Sequence, residues 1–263
     1  MNTKKKEGKY STTISQAACG RIAMLIQSFR RYVELPARGR WRNMSDEELW
    51  MRLVSQICVR GSARGMEKIT DNQDNHDSFL QSISLRNWQK NGLGEEYFAG
   101  VLKEHKATRF HNEAAKTLQE IARCDKVVKN GKIVIFSELN RCSQDVESLR
   151  EHLLERCPVL GLKSVSDLMI ETGVSDDVIA LDTRIVKLLQ KHFGYNVGVG
   201  RVQNSKELYL SLESALRDLC ADVEVPLALF DRMLFRLSGI SVVDFYMKHG
   251  TFGLLPPFAA DAN

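Results

Sequence analysis

The amino-acid sequence predicts an all-α protein, and three observations carry that expectation. Apolar residues recur at helical spacing in some ten successive segments of the 263-residue chain. The connections between those segments are short, and only one run, Ile133-Val134-Ile135-Phe136, has β character. No internal repeat period is visible, so a solenoid is not expected.

Residues 1–10 form a lysine-rich tail, read as a disordered, solubilising segment. From Ser11 the positions Ile14, Ala17, Ala18, Ile22, Leu25, Ile26, Phe29 and Val33 mark a first amphipathic helix, which Pro36 and Gly39 end. The following loop, Arg38 to Arg42, mixes three guanidinium groups with Trp41. Ser45-Asp46-Glu47-Glu48 is a capping box, because a serine hydroxyl and the glutamate three residues on can satisfy two orphan N–H groups of a helix start. It opens a predicted helix over 46–60. Residues 62–70 form another helix and 71–75 a polar loop. Helices are expected over 76–89, 95–104 and 112–124, with Gly92 and Gly94 separating the first two. A single β-type run cannot make a sheet, so 133–136 is expected to be an extended connector over the core. Helices over 143–156, from Asp182 to near Gly194, over 205–221 and from Pro226 to 237 complete the pattern. Pro256-Pro257 closes it before a small-residue tail.

A hydrophobic fraction of 43% and a charged fraction of 27% fit a soluble chain with a sizeable apolar interior in one or two lobes. The formal charge of +4 and a pI near 8.7 lean toward a polyanionic partner. Six cysteines at 19, 58, 124, 142, 157 and 220 contain no C-x-x-C pair. That usage suits a reduced compartment, and it argues against a disulfide framework, a zinc site or a four-cysteine iron–sulfur loop. The basic N-terminus is not followed by an apolar stretch of signal-peptide type, and no apolar run reaches membrane-spanning length. The expected location is the cytoplasm, with no membrane partner.

The chemistry concentrates in 157–184. Pro158-Val159-Leu160-Gly161 would join two short helices through a tight turn, leaving backbone N–H groups of the second helix start pointing outward as an anion site. Lys163 lies at that helix start. A lone lysine after a glycine is ordinarily a solvated residue. Asp182 stands 19 residues later, ahead of Thr-Arg-Ile-Val-Lys-Leu-Leu, and helix capping alone would explain it. The spacing leaves room for one helix and a return loop.

Here the chain resembles the helix-hairpin-helix DNA glycosylases, in the 8-oxoguanine glycosylase branch with a catalytic lysine. The resemblance rests on Val159-Leu160-Gly161-Leu162-Lys163-Ser164-Val165-Ser166-Asp167, on Gly173 through Asp182, and on the lysine-to-aspartate separation. Arg109-Phe110-His111-Asn112-Glu113-Ala114-Ala115 and Leu53-Val54-Ser55-Gln56-Ile57-Cys58 give weaker similarity, and the whole covers about 45–240. One departure is that Val159 stands where the family hairpin usually has a first glycine, a residue that would resist a positive φ.

The resemblance implies a two-lobed all-α glycosylase fold: a middle lobe over 45–175 with the hairpin at about 151–173, a second lobe of 11–44 plus 176–263, and the cleft between them. It implies a base-excision-repair type of DNA glycosylase with AP lyase activity, working as a monomer on double-stranded DNA that contains a modified base, and hence associated with the nucleoid. An oxidised purine such as 8-oxoguanine is the expected base; another modified base, including one that marks foreign DNA, is the alternative. Lys163 would be the Schiff-base nucleophile and Asp182 its carboxylate partner. Gly161, Leu162, Arg184, Arg109 and Gln56 would contact DNA, Gln56 by filling the gap left by the extruded base. Aromatic residues of the base pocket are sought among Phe230, Phe235, Phe245, Tyr246 and Phe252. No cofactor or catalytic metal is required; a monovalent cation at the hairpin carbonyls is implied. Two rival readings stand beside this one. The chain could be a non-catalytic helix-hairpin-helix DNA-binding module, or a glycosylase using water activated by Asp182.

Overall fold

In a computed structural model the protein is all-α, with one two-stranded ribbon among the residues described, 16–92 and 94–237. The N-terminal tail, Phe245, Tyr246, Phe252 and Pro256-Pro257 lie outside them. The chain divides into two compact units, a larger one, Leu35–Ala180, and a smaller one that joins the described residues up to Glu34 with those from Leu181 onward.

Helix α1 (Gln16–Phe29) belongs to the smaller unit and ends in a 3-10 turn, Arg30–Tyr32, short of the predicted stop at Pro36. In the larger unit, a 3-10 turn at Arg40–Asn43 buries Trp41 within the arginine loop. Residues 35–44, expected with the N-terminal helix, are held to this unit: the Gly39 N–H donates to the Gly173 carbonyl (2.7 Å), and Arg38 pairs with Asp176 (2.5 Å). Helix α2 (Asp46–Cys58) starts with the predicted capping box. The Ser45 hydroxyl accepts from Glu48 N (3.2 Å) and a Glu48 carboxylate oxygen accepts from Ser45 N (2.7 Å). The Ser45 N–H, followed by the Ser45 hydroxyl, which donates to the same carboxylate oxygen (2.9 Å), holds the Glu48 carboxyl below its ordinary pKa.

Helices α3 (Arg64–Thr70), α4 (Gln73–Ile83), α5 (Leu85–Asn91), α6 (Glu95–Glu104) and α7 (His111–Arg123) surround α2 or one another. Two boundaries differ from expectation. The loop predicted at 71–75 shrinks because Asn72 caps α4 by accepting from Asn75 N (2.9 Å). The single helix predicted over 76–89 breaks at Ser84, whose hydroxyl accepts from Asn87 N (3.1 Å). Glu47, in the first turn of α2, accepts from Leu85 N (2.9 Å) and Arg86 N (2.8 Å), so the new helix start is satisfied from a distance. The β-type run is not a bare connector. Strands β1 (Val128–Lys129) and β2 (Lys132–Ile133) pair antiparallel around Asn130-Gly131, both with positive φ, the signature of a two-residue hairpin turn. Asp46 of α2 accepts from Ile133 N (2.7 Å), and Ile135 and Phe136 enter the core.

A 3-10 turn at Ser137–Arg141 leads to α8 (Val146–Arg156), capped by Asp145, and then to α9 (Leu162–Thr172). Helix α9 packs on α2 and α8 through a buried face that includes Val165, Leu168, Met169 and Ile170. It ends at Gly173 (φ 68°). A Cβ there would lie 2.2 Å from the Ala37 carbonyl oxygen, so only glycine permits that crossing.

In the smaller unit, α10 (Thr183–Phe193) stops at Gly194 (φ 72°) as its sequence predicts. Helix α11 (Val199–Asn204) is short and was not anticipated. Helix α12 (Lys206–Asp222) is capped by Ser205, and α13 (Leu227–Leu237) follows Pro226. Helix α13 packs against α1, α10 and α12 around Leu25, Leu189, Leu216, Phe230 and Met233. No described helix is long and apolar enough to cross a membrane.

Candidate active site

The turn between α8 and α9 is built from five residues. Cys157 closes α8 in an open conformation (φ −128°, ψ 69°), and its carbonyl accepts from Leu160 N (3.0 Å). Leu160 is buried and anchors the turn, while Pro158 and Gly161 are exposed. Burial pushes the Cys157 thiol up to about 12, so it is inert packing. Gly161 is the N-cap of α9 with φ −88° and ψ 174°, extended backbone open to any residue. The turn therefore needs no left-handed residue at 161. Val159 is likewise not among the positive-φ residues, so its departure from the family glycine strains nothing. What Gly161 provides is space: a Cβ there would meet no atom of the protein within 4 Å. Since no side chain caps α9, its first N–H groups are left for an incoming anion.

Lys163 stands in the first turn of α9 with its side chain 27% exposed. Its ammonium donates to Asp167 Oδ2 at 3.0 Å, an i,i+4 pair on the same helix. The same oxygen accepts from Gln56 Nε2 (3.1 Å), which also reaches Glu171 Oε2 (3.4 Å). Gln56 is 1% exposed on the buried face of α2, and its own Oε1 finds no donor among the described residues. Gln56 is thus placed inside the larger unit, behind Asp167, and not at a surface that could reach a DNA stack. Asp167, the partner of Lys163, is the site residue that sequence reasoning did not single out. The signal was present, since Lys-x-x-x-Asp at i,i+4 places both groups on one helix face.

Asp182 caps α10, accepting from Ile185 N at 2.8 Å. The backbone before it is fixed from both sides: Leu181 N donates to the Tyr209 hydroxyl (3.1 Å) and Gln203 Nε2 donates to the Leu181 carbonyl (3.3 Å). Arg184 approaches Asp182 (3.8 Å) and lays its guanidinium over the Phe235 ring, 4.4 Å from the centroid. Phe230, by contrast, is fully buried core. Asp182, Arg184 and Phe235 therefore cluster in the smaller unit.

In the larger unit, Arg109 is exposed and stacks on Phe110 (4.6 Å), itself 40% exposed. Both side chains lie against Gly61, where a Cβ would be 2.9 Å from the Phe110 ring and 3.3 Å from the Arg109 guanidinium. Arg60, the preceding residue, donates from its guanidinium to the Val159 carbonyl. These contacts bring Arg109 and Arg60 to the end of the unit that carries the α8–α9 turn. A separate cavity of about 470 Å³, lined by Trp50, Met51, Met66, Leu80 and Ile83, contains none of the anticipated site residues. Among the described residues no group of three potential metal ligands occurs.

A lysine at a helix start beside an open-backed turn, and an aspartate capping a later helix, are the features on which the sequence resemblance to the helix-hairpin-helix glycosylases rests. The chain is similar to the 8-oxoguanine DNA glycosylase/AP lyase of Fusobacterium nucleatum subsp. nucleatum, 25% identical over 209 residues, covering 72% of this chain and 91% of that protein. It is also similar to the 8-oxoguanine DNA glycosylase/AP lyase of Sulfolobus acidocaldarius, 26% identical over 196 residues, covering 73% of this chain and 83% of that one. Both relatives fall in the branch to which the sequence resemblance points. No protein-family model matches the chain, and no solved structure gives a significant match.

Proposed function

We propose that this protein is a DNA glycosylase with AP lyase activity that excises a modified base, an 8-oxoguanine-like purine, from double-stranded DNA through a Schiff base on Lys163. The observation that carries the proposal is the Lys163 amine itself. It is part-buried at the start of α9, fixed at 3.0 Å on a carboxylate, next to a turn whose helix N-terminus is uncapped. Two relatives named for this activity, each covered over more than four fifths of its length, support it.

The chemistry follows from the groups present. A base inside a duplex is unreachable, so it is extruded, at a cost of a few kcal/mol for unstacking. The Lys163 ammonium gives up a proton, and Asp167 Oδ2 lies within hydrogen-bond reach of it. The neutral amine attacks the sugar C1′ and the C1′–N bond to the base breaks, its electron pair leaving with the base, which takes up a proton. The resulting aminal opens as the C1′–O4′ bond breaks, O4′ taking the proton that the former lysine nitrogen gives up, and leaves the protonated Schiff base. Loss of a C2′ proton then expels the 3′-phosphate by β-elimination and nicks the strand. Asp182 would stabilise positive charge developing on the sugar while still capping α10. The turn and Arg109 would hold backbone phosphates, as would Arg184 in its own unit, and these contacts position the DNA without reading sequence.

The test is base release and strand nicking on duplexes carrying a panel of modified bases, with the opposite base varied. Release coupled to nicking, strongest on 8-oxoguanine, is expected. Release without nicking would replace the lysine mechanism by water attack, and no release on any duplex would leave a binding module.

A further inference from the structure

Arg60 is the residue whose surroundings the glycosylase reading leaves unused. It follows the last turn of α2, and its guanidinium donates to the carbonyl of Val159, in the middle of the α8–α9 turn. That bond joins positions 99 residues apart in the chain. A guanidinium has five N–H donors in a planar fork, so one carbonyl leaves most of them available. None of the ion pairs among the described residues involves Arg60, and the residue is exposed. The backbone next to it is shaped for this reach. Gly61 has φ 76°, and Arg109 and Phe110 cover its Cα face.

The arrangement bears on the monovalent cation expected at the hairpin carbonyls. Cys157 O already accepts from Leu160 N, and Val159 O already accepts from a fixed positive charge of the chain. A metal ion brought to Val159 O would meet the repulsion of that guanidinium, so this carbonyl does not fit it. We propose that Arg60 is the turn's own cation: anchored on Val159, it presents its remaining donors to a DNA phosphodiester and does the work that a bound alkali ion would do. The inference rests on the DNA-binding reading of the α8–α9 turn. It predicts that DNA binding is indifferent to which monovalent ion is present and depends on the side chain at position 60.

The experiment measures affinity of the full chain for a duplex containing a stable abasic analogue, by fluorescence anisotropy, in potassium, sodium, lithium and tetramethylammonium chloride at equal ionic strength. The unaltered protein is expected to bind with the same affinity in all four salts, within about twofold, because an arginine needs no counterpart from solution. Arg60→Met is expected to bind about tenfold more weakly, with the salt dependence of binding reduced by about one ion. Arg60→Lys, which keeps the charge, is expected to recover the slope and part of the affinity. A merely structural role for Arg60 would change the melting temperature without changing the slope. Binding by the unaltered protein that falls tenfold or more in tetramethylammonium overturns the proposal, as does an Arg60→Met variant with unchanged affinity and slope. Failure of the unaltered protein to bind the duplex in any salt would overturn the DNA-binding reading and this inference with it, whereas the first two outcomes overturn the inference alone.

Discussion

The lysine of the α8–α9 turn is backed by buried polar groups, whereas the aspartate ahead of α10 faces its own helix. Behind Lys163 stand Asp167, then Gln56, then Glu171, a run of contacts between 3.0 and 3.4 Å that ties a partly exposed amine to the interior of the larger unit. Asp182 has the Ile185 N–H at 2.8 Å and a loose approach from Arg184 at 3.8 Å. A helix start needs only the second kind of environment. The first kind costs more, since burying polar groups is unfavourable unless they are bonded, and Gln56 Oε1 is left without a donor among the described residues. The difference teaches that the local surroundings of Lys163 exceed what folding needs, whereas those of Asp182 are accounted for by its cap. A role for Asp182 therefore has to be demonstrated with the cap held constant.

The largest expected effect separates those two parts of Asp182. Asp182→Asn keeps a capping side chain of nearly equal quality, so stability to urea should change by less than about 0.5 kcal/mol. Base release should nonetheless fall on the order of 100-fold, because the charge is gone. An unchanged rate would reduce Asp182 to a cap.

On the lysine side, Gln56→Leu removes a donor from Asp167 and should cost about 1–3 kcal/mol in urea unfolding. A cost near zero would mean that the buried run is not strongly coupled. Gly161→Val probes the surface of the same turn. The φ of −88° and the free space on the protein side predict an unchanged melting temperature, while duplex affinity should drop about tenfold, from bulk facing the phosphate. Unchanged affinity would put the phosphate elsewhere.

The smallest effect is electrostatic and lies at the entry to α8. The Ser143 hydroxyl, followed by the Ser148 N–H, holds the Asp145 carboxyl at about 2, down from its ordinary 3.8. A carboxyl with a depressed folded pKa contributes stability that is present above the unfolded value and lost as the pH falls through the folded one. An NMR titration should therefore place the Asp145 midpoint near 2. Asp145→Asn should make unfolding less pH-dependent between about pH 4 and pH 2. A midpoint near the ordinary value would show that these bonds are not held.

Much of this was legible in the sequence where the controlling interactions are local. The Ser45–Glu48 capping box, the Asp182 cap and the Gly194 stop each depend on residues a few positions apart, and each forms as read. The break at Ser84 was hidden because its second support, Glu47, lies in another helix. The Asn130-Gly131 turn was a local signal, but its strands are only two residues long and carry little periodicity. At the candidate site, the lysine and the aspartate could be picked out by type and spacing. The burial of Gln56 and its bond to Asp167 could not, because it joins residues 111 positions apart. The extended conformation of Gly161 has no signature in the residue itself, because the turn closes through Leu160 N and the Cys157 carbonyl and needs no left-handed residue.

The central claim, that Lys163 forms a covalent link to DNA, is tested most directly by borohydride trapping on duplexes that carry a modified base. The unaltered protein should give a covalent adduct, strongest on 8-oxoguanine, and Lys163→Gln should lower trapping on the order of 10⁴-fold while duplex binding persists. No adduct across the panel, or an adduct that survives Lys163→Gln, would contradict the account.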